Sequence, residues 1–142
     1  MRTRKMEQGF TLVEIMIVVA IIALLAAIAI PNLLRAKMTS NDALAKATLR
    51  AMSTADESYG TANNGNYAPA MANLTAPATG PAYLNNDYVA GSPLAGYNYT
   101  ADYTDGKGGP AGSGYTFTAT PVSLGSSGST VETITQGGVL TP

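Results

Sequence analysis

The chain of 142 residues has no cysteine, no histidine and no tryptophan, and only 12% of its residues are charged. Without cysteine there is no disulfide to staple the fold and no thiol nucleophile. Without histidine there is no imidazole base, and the two absences together remove the common zinc ligand sets. The carboxylates that remain are scattered along the chain, so an enzyme is the least favoured class. Basic clusters are also missing. Beyond the first nine residues there are five basic and eight acidic side chains, a net charge of −3, which argues against direct nucleic-acid binding.

What the chain does have stands at its start. After Met1 to Gly9, the pentapeptide Phe10-Thr11-Leu12-Val13-Glu14 opens an apolar run that reaches Ile30 with Glu14 as its one charge. An acid at the centre of a membrane helix costs roughly 2.5–3.5 kcal/mol on translocon scales, so Glu14 calls for a partner. Cleavage between Gly9 and Phe10 would supply one, because the new α-amine of one subunit can pair with the carboxylate of a neighbour. Two plainer readings use the same residues. Arg2, Arg4 and Lys5 before Ile15 to Ala26 and Ala27-Ile28-Ala29 have the order of a secretory signal peptide, which would release a secreted binding domain. Phe10 to Ile30 is also long enough, at about 31 Å, to anchor such a domain across a bilayer core of about 30 Å. Neither reading has a use for Glu14. In all three the basic leader, against Arg35 and Lys37 beyond the span, favours a cytoplasmic N-terminus.

The combination of Gly9-Phe10-Thr11-Leu12-Val13-Glu14, the apolar span from Ile15 to Ile30, Pro31-Asn32-Leu33 and Arg35-Ala36-Lys37 resembles a type IV prepilin over about residues 1–60. The resemblance implies that Gly9 is the last leader residue, Phe10 the N-methylated first residue of the mature chain, Glu14 the acid that registers the next subunit and Pro31 a kink in the stem helix. It implies as partners a prepilin peptidase that also methylates, an inner-membrane assembly platform and further copies of the chain itself. It implies a single-pass inner-membrane precursor that later joins an extracellular pilus or, as the alternative, the periplasmic pseudopilus of a type II secretion system. Many pilins close their C-terminal region with a disulfide, and this chain departs from that habit. Where related stems carry a glycine upstream of the proline, this one has Ala23-Leu24-Leu25-Ala26-Ala27, all strong helix formers.

The helix is expected to continue past the span. Leu34, Met38, Ala45, Leu49, Met52, Ala55 and Tyr59 recur at helical steps, with Arg35, Asp42, Lys46, Arg50 and Glu57 off the stripe and Gly60 as the stop. Residues 61–96 are dense in Asn, Gly and Pro and read as a long loop with one short helix at Met71 to Leu74. The period-two runs from Tyr97 to Tyr103 and from Tyr115 to Thr120 predict antiparallel strands, with Thr130 to Thr135 and Val139-Leu140 completing a meander. The glycine-rich stretch 105–114 is expected to be a mobile hairpin tip. The fold class is therefore α+β: a leader (1–9), an assembly stem (10–30), an amphipathic half-helix (31–60) and a small head (61–142) formed by the loop 61–96 and a sheet over 97–142.

Other motifs carry less. Asp102-Tyr103-Thr104-Asp105-Gly106 faintly resembles a calcium loop, and major pseudopilins bind calcium near the C-terminus, but the carboxylate spacing does not match the helix-flanked loop with its terminal bidentate Glu, and an Asp-Gly turn is the plainer reading. No other cofactor is expected. The sequence has eight tyrosines; of the aromatics only Phe10 and Tyr59 lie on the stem helix, so packing in the head accounts for most of them. Asn73-Leu74-Thr75 and Asn98-Tyr99-Thr100 fit the glycan acceptor pattern. The reading reached is a structural filament subunit.

Overall fold

The computed structural model describes residues 9–104 and 111–142. Its elements are α1 (Leu12–Ala62), α2 (Met71–Thr75), β1 (Tyr97–Asp102), β2 (Thr116–Pro121), β3 (Glu132–Thr135) and β4 (Val139–Thr141). The fold is α+β, a long apolar N-terminal helix whose later half packs on a small antiparallel sheet. The contacts divide the chain into two compact units, up to Arg35 and from Ala36 onward.

In the first unit α1 is apolar on every side. Leu, Ile, Val and Ala favour the helix without defining a single buried face, and Pro31 lies inside the helical span. Phe10, Ile15, Ile21, Leu24 and Ile30 are all more than half exposed. This segment is long and apolar enough to cross a membrane.

The second unit has its own core. Ala45, Leu49, Met52 and Ala55 turn inward from α1 and pack with Tyr97, Tyr99, Phe117, Ala119 and Ile134. The strands follow one another as β1-β2-β3-β4, all antiparallel. Their inward residues alternate with a solvent face made largely of threonine, where Thr100 opposes Thr118, Thr118 opposes Thr133 and Thr133 opposes Thr141. Threonine suits that face because its branched side chain favours the pleat while its hydroxyl meets water. Tyr115 stacks on Phe117 with centroids 4.9 Å apart, and Tyr103 meets the same ring edge-on at 5.8 Å.

Three expectations are corrected. The helix begins at Leu12 rather than Phe10, and it does not stop at Gly60. It runs to Ala62 and ends through Asn64, left-handed at φ 59°, where the Gly65 amide donates back to the Gly60 carbonyl at 2.8 Å. Asn-Gly supplies the left-handed turn that such an ending needs, while Gly60 stays in the helix with the Tyr67 ring 3.3 Å from where a Cβ would stand. The strands start or stop one or two residues from the expected positions, with β1 ending at Asp102, β2 spanning Thr116–Pro121 and β3 beginning at Glu132. The third correction concerns Leu34, expected on the stripe, which is 54% exposed. The off-stripe residues Asp42, Lys46 and Glu57 tie the head to the helix.

Candidate assembly site

The junction proposed for cleavage lies just ahead of the helix. Gly9 and Phe10 have no regular structure and are exposed, Phe10 at 85%. The preceding leader residues, including Arg2, Arg4 and Lys5, lie outside the described residues. Two residues after Phe10 the helix starts with a reciprocal cap. The Thr11 hydroxyl accepts the Glu14 amide at 3.3 Å, and the Glu14 carboxylate accepts both the Thr11 amide and the Thr11 hydroxyl at 2.9 Å. Thr-x-x-Glu is a capping box, which satisfies two amides that the first turn leaves free and places a negative charge at the positive end of the helix dipole. The sequence carries this signal in the three-residue spacing of Thr11 and Glu14. Pro31 stands further along the same helix and takes no part in this cap.

From Leu12 to Ile30 the exposed side chains of α1 form a continuous apolar surface with Glu14 at its head. Water penalises such a surface by about 25 cal/mol per Å². Covering it with other apolar groups removes that penalty.

The second unit holds its loops to α1 through acids. Asp42 accepts the Tyr97 hydroxyl at 2.7 Å and the Ser129 amide at 3.0 Å, and Asn41 donates to the Ser127 carbonyl at 2.7 Å. Burial pushes the Asp42 carboxyl up, but the hydrogen bonds from Ser129 and Tyr97 and the nearby Lys46 outweigh it and hold the group below its ordinary 3.8. Burial, followed by the bond to Asp42, pushes the Tyr97 phenol up to about 12. Lys46 pairs with buried Glu132 at 3.3 Å, and that carboxylate also accepts the Thr130 hydroxyl at 2.6 Å. Glu57 accepts the Tyr115 hydroxyl at 2.8 Å and the Gly137 amide at 2.9 Å, while Tyr115 shares a 2.7 Å bond with Ser53. These side chains tie α1 to the turns at Ser129 and Gly137 and to strands β1 and β3.

The suggested calcium loop reaches into 105–110, so Asp105 and Gly106 lie outside the described residues. Asp102 is described: it accepts the Thr104 amide at 3.0 Å and the Thr104 hydroxyl at 2.9 Å, as in a simple Asx turn. Among the described residues no three metal-ligating side chains gather. Of the two glycan acceptor patterns, Asn98 is exposed on β1 and Asn73 is half-buried in α2.

Residues 4–30 match the prokaryotic N-terminal methylation motif. The chain is similar to the type IV major pilin protein PilA of Myxococcus xanthus, with 53% identity over 53 residues, covering 37% of this chain and 24% of that protein. It is also similar to the type IV wide pilus major component PilA4 of Thermus thermophilus, with 49% identity over 57 residues, covering 40% of this chain and 44% of that one. The chain thus spans less than half the length of either relative. No solved structure matches it. The motif and the two relatives support a member of the type IV pilin family. Both relatives are named as major pilus subunits and neither as an enzyme.

Proposed function

We propose that the chain is a structural subunit of a type IV pilus-like filament, made as a single-pass inner-membrane precursor and assembled through the apolar half of α1. One observation carries the reading: a capped helix with Glu14 in its first turn and apolar side chains exposed all round, within a segment that matches the N-terminal methylation motif. A prepilin peptidase cuts the exposed bond between Gly9 and Phe10 and methylates the new amine of Phe10. The amine is an ammonium that the precursor lacks. Glu14 of an incoming subunit then exchanges its bonds to Thr11 for a charge-assisted bond to the ammonium of its neighbour, which is stronger where water is excluded. Side-by-side packing of the apolar faces supplies most of the free energy of assembly, and the ion pair sets the register. An inner-membrane platform feeds subunits to the growing end, and the head forms the outer surface.

The test combines processing with assembly. Mature protein from cells with the native processing machinery should begin at methylated Phe10 by mass and N-terminal sequence. A start at Ile30 would identify a secreted domain and an uncut chain a simple anchor. Glu14→Ala should still be cleaved yet yield no filaments by electron microscopy, and normal filaments from that variant would refute the pairing. Long surface filaments from the wild type separate a pilus subunit from the short periplasmic assembly of a secretion pseudopilin.

A further inference from the structure

Asp56 is the polar group of the head least accounted for by its neighbours. It sits on α1 with no exposed surface. Its Oδ1 accepts the Ala68 amide at 2.8 Å, but its Oδ2, also shut off from solvent, has no hydrogen-bond partner among the described residues, and the same is true of the Tyr103 hydroxyl. An unpaired buried carboxylate oxygen is costly while the group is charged and much less so once it carries a proton. Among the described residues the titratable groups that face it offer no positive charge: Glu57 comes from α1, Tyr67 from the turn after α1 and Tyr103 from the segment after β1, with Asp87 acting on Tyr103 in turn.

The position is also a junction. The Ala68 turn that Asp56 holds continues into Tyr67, whose amide donates to the Gly112 carbonyl at 3.0 Å, and the Gly112 amide donates to the Tyr103 carbonyl at 2.8 Å. Gly112 has φ +87°, and a Cβ there would run into the Tyr67 carbonyl, so these strands of loop lie in close contact. One carboxyl thus secures the turn after α1, and through it the segments that flank the β1–β2 connection.

We propose that Asp56 is a proton-operated latch: while its carboxyl is neutral the Ala68 turn and the Gly112 segment close over α1, and when it ionises this flank of the head loosens to admit water. Burial, opposed by the Ala68 amide and reinforced by Glu57, pushes the carboxyl up from an ordinary 3.8 to about 6. Because the folded value lies above the unfolded one, the folded head binds the proton more tightly. The resulting stability is fully present below about pH 4, is lost as pH rises through about 6 and changes little beyond. Asp42, whose folded value is lowered, contributes in the opposite sense, with stability present above 3.8 and lost as pH falls further. The two windows meet near pH 4, so their contributions can be read apart. The latch concerns the head alone and stands whether or not the chain forms filaments.

The full chain in detergent micelles provides the test, by thermal midpoint and by amide exchange of peptides over 60–70 and 111–115 between pH 4.5 and 7.5. The midpoint should fall with rising pH and level off above about 7, and exchange in those peptides, corrected for its intrinsic pH dependence, should rise at least tenfold. Asp56→Asn keeps the acceptor for Ala68 and cannot ionise, so both trends should flatten. An unchanged pH trend in that variant overturns the proposal. If the variant fails to fold, the carboxyl carbons of aspartate in the wild-type chain decide: one resonance titrating near 6 supports the latch, and all of them titrating below 5 overturns it.

Discussion

The two halves of α1 use one backbone geometry for opposite ends. Up to Arg35 its apolar side chains point in every direction and are largely exposed, whereas from Ala36 onward they narrow to the face of Ala45, Leu49, Met52 and Ala55 that is covered by the sheet. Polar groups divide in the same way. The first half has Glu14, which closes a local cap. The second places Asp42, Lys46, Asp56 and Glu57 beside its buried face, each bonded to a segment distant in sequence. The pattern of burial, rather than helix propensity, therefore distinguishes a segment built to meet other molecules from one built to complete its own domain.

This contrast can be broken from either side. The largest effect is expected from Glu14→Ala, which should reduce filament yield by at least an order of magnitude while leaving the thermal midpoint of the head unchanged. Next comes Phe117→Ala: it empties the centre of the head and should cost about 3–5 kcal/mol in chemical denaturation, with membrane insertion unaffected. Asp42→Ala should cost about 1–3 kcal/mol, because Tyr97 and the Ser129 amide lose their acceptor together. It should also remove the decline in stability below pH 4. Thr120→Ser on the open face of the sheet should stay within about 0.5 kcal/mol, which sets the floor against which the others are read. A Glu14 variant that destabilises the head, or a Phe117 variant that is no longer inserted, would show that the halves are coupled.

Much of this architecture was legible because its signals are periodic. The apolar span, the helical stripe of Leu49 and Met52 and the alternation around Tyr99 and Phe117 are repeated patterns that average over individual exceptions. What escaped was single and local. Asp56 matches no period, and its burial depends on a turn that closes only when Ala68 comes back to α1. Asp42 and Glu57 look like solvated helix residues until the turns at Ser129 and Gly137 arrive from 87 and 80 residues away. Thr11 and Glu14 form a short-range cap that the strangeness of an acid in an apolar run obscured. Glycine often ends helices, which points to Gly60, yet the left-handed residues are Asn64 and Gly65.

The long reach of the acidic anchors also bears on the order of events during synthesis. Asp42 and Glu57 emerge from the ribosome far ahead of Ser129 and Gly137, so the helix exists as a template before the segments it must capture have been made. Contacts this distant in sequence close slowly, since the chain between them must give up its freedom before any bond repays it. Until Gly137 appears, Glu57 lacks the amide that it accepts in the finished head, and the unfinished head is the state most exposed to aggregation.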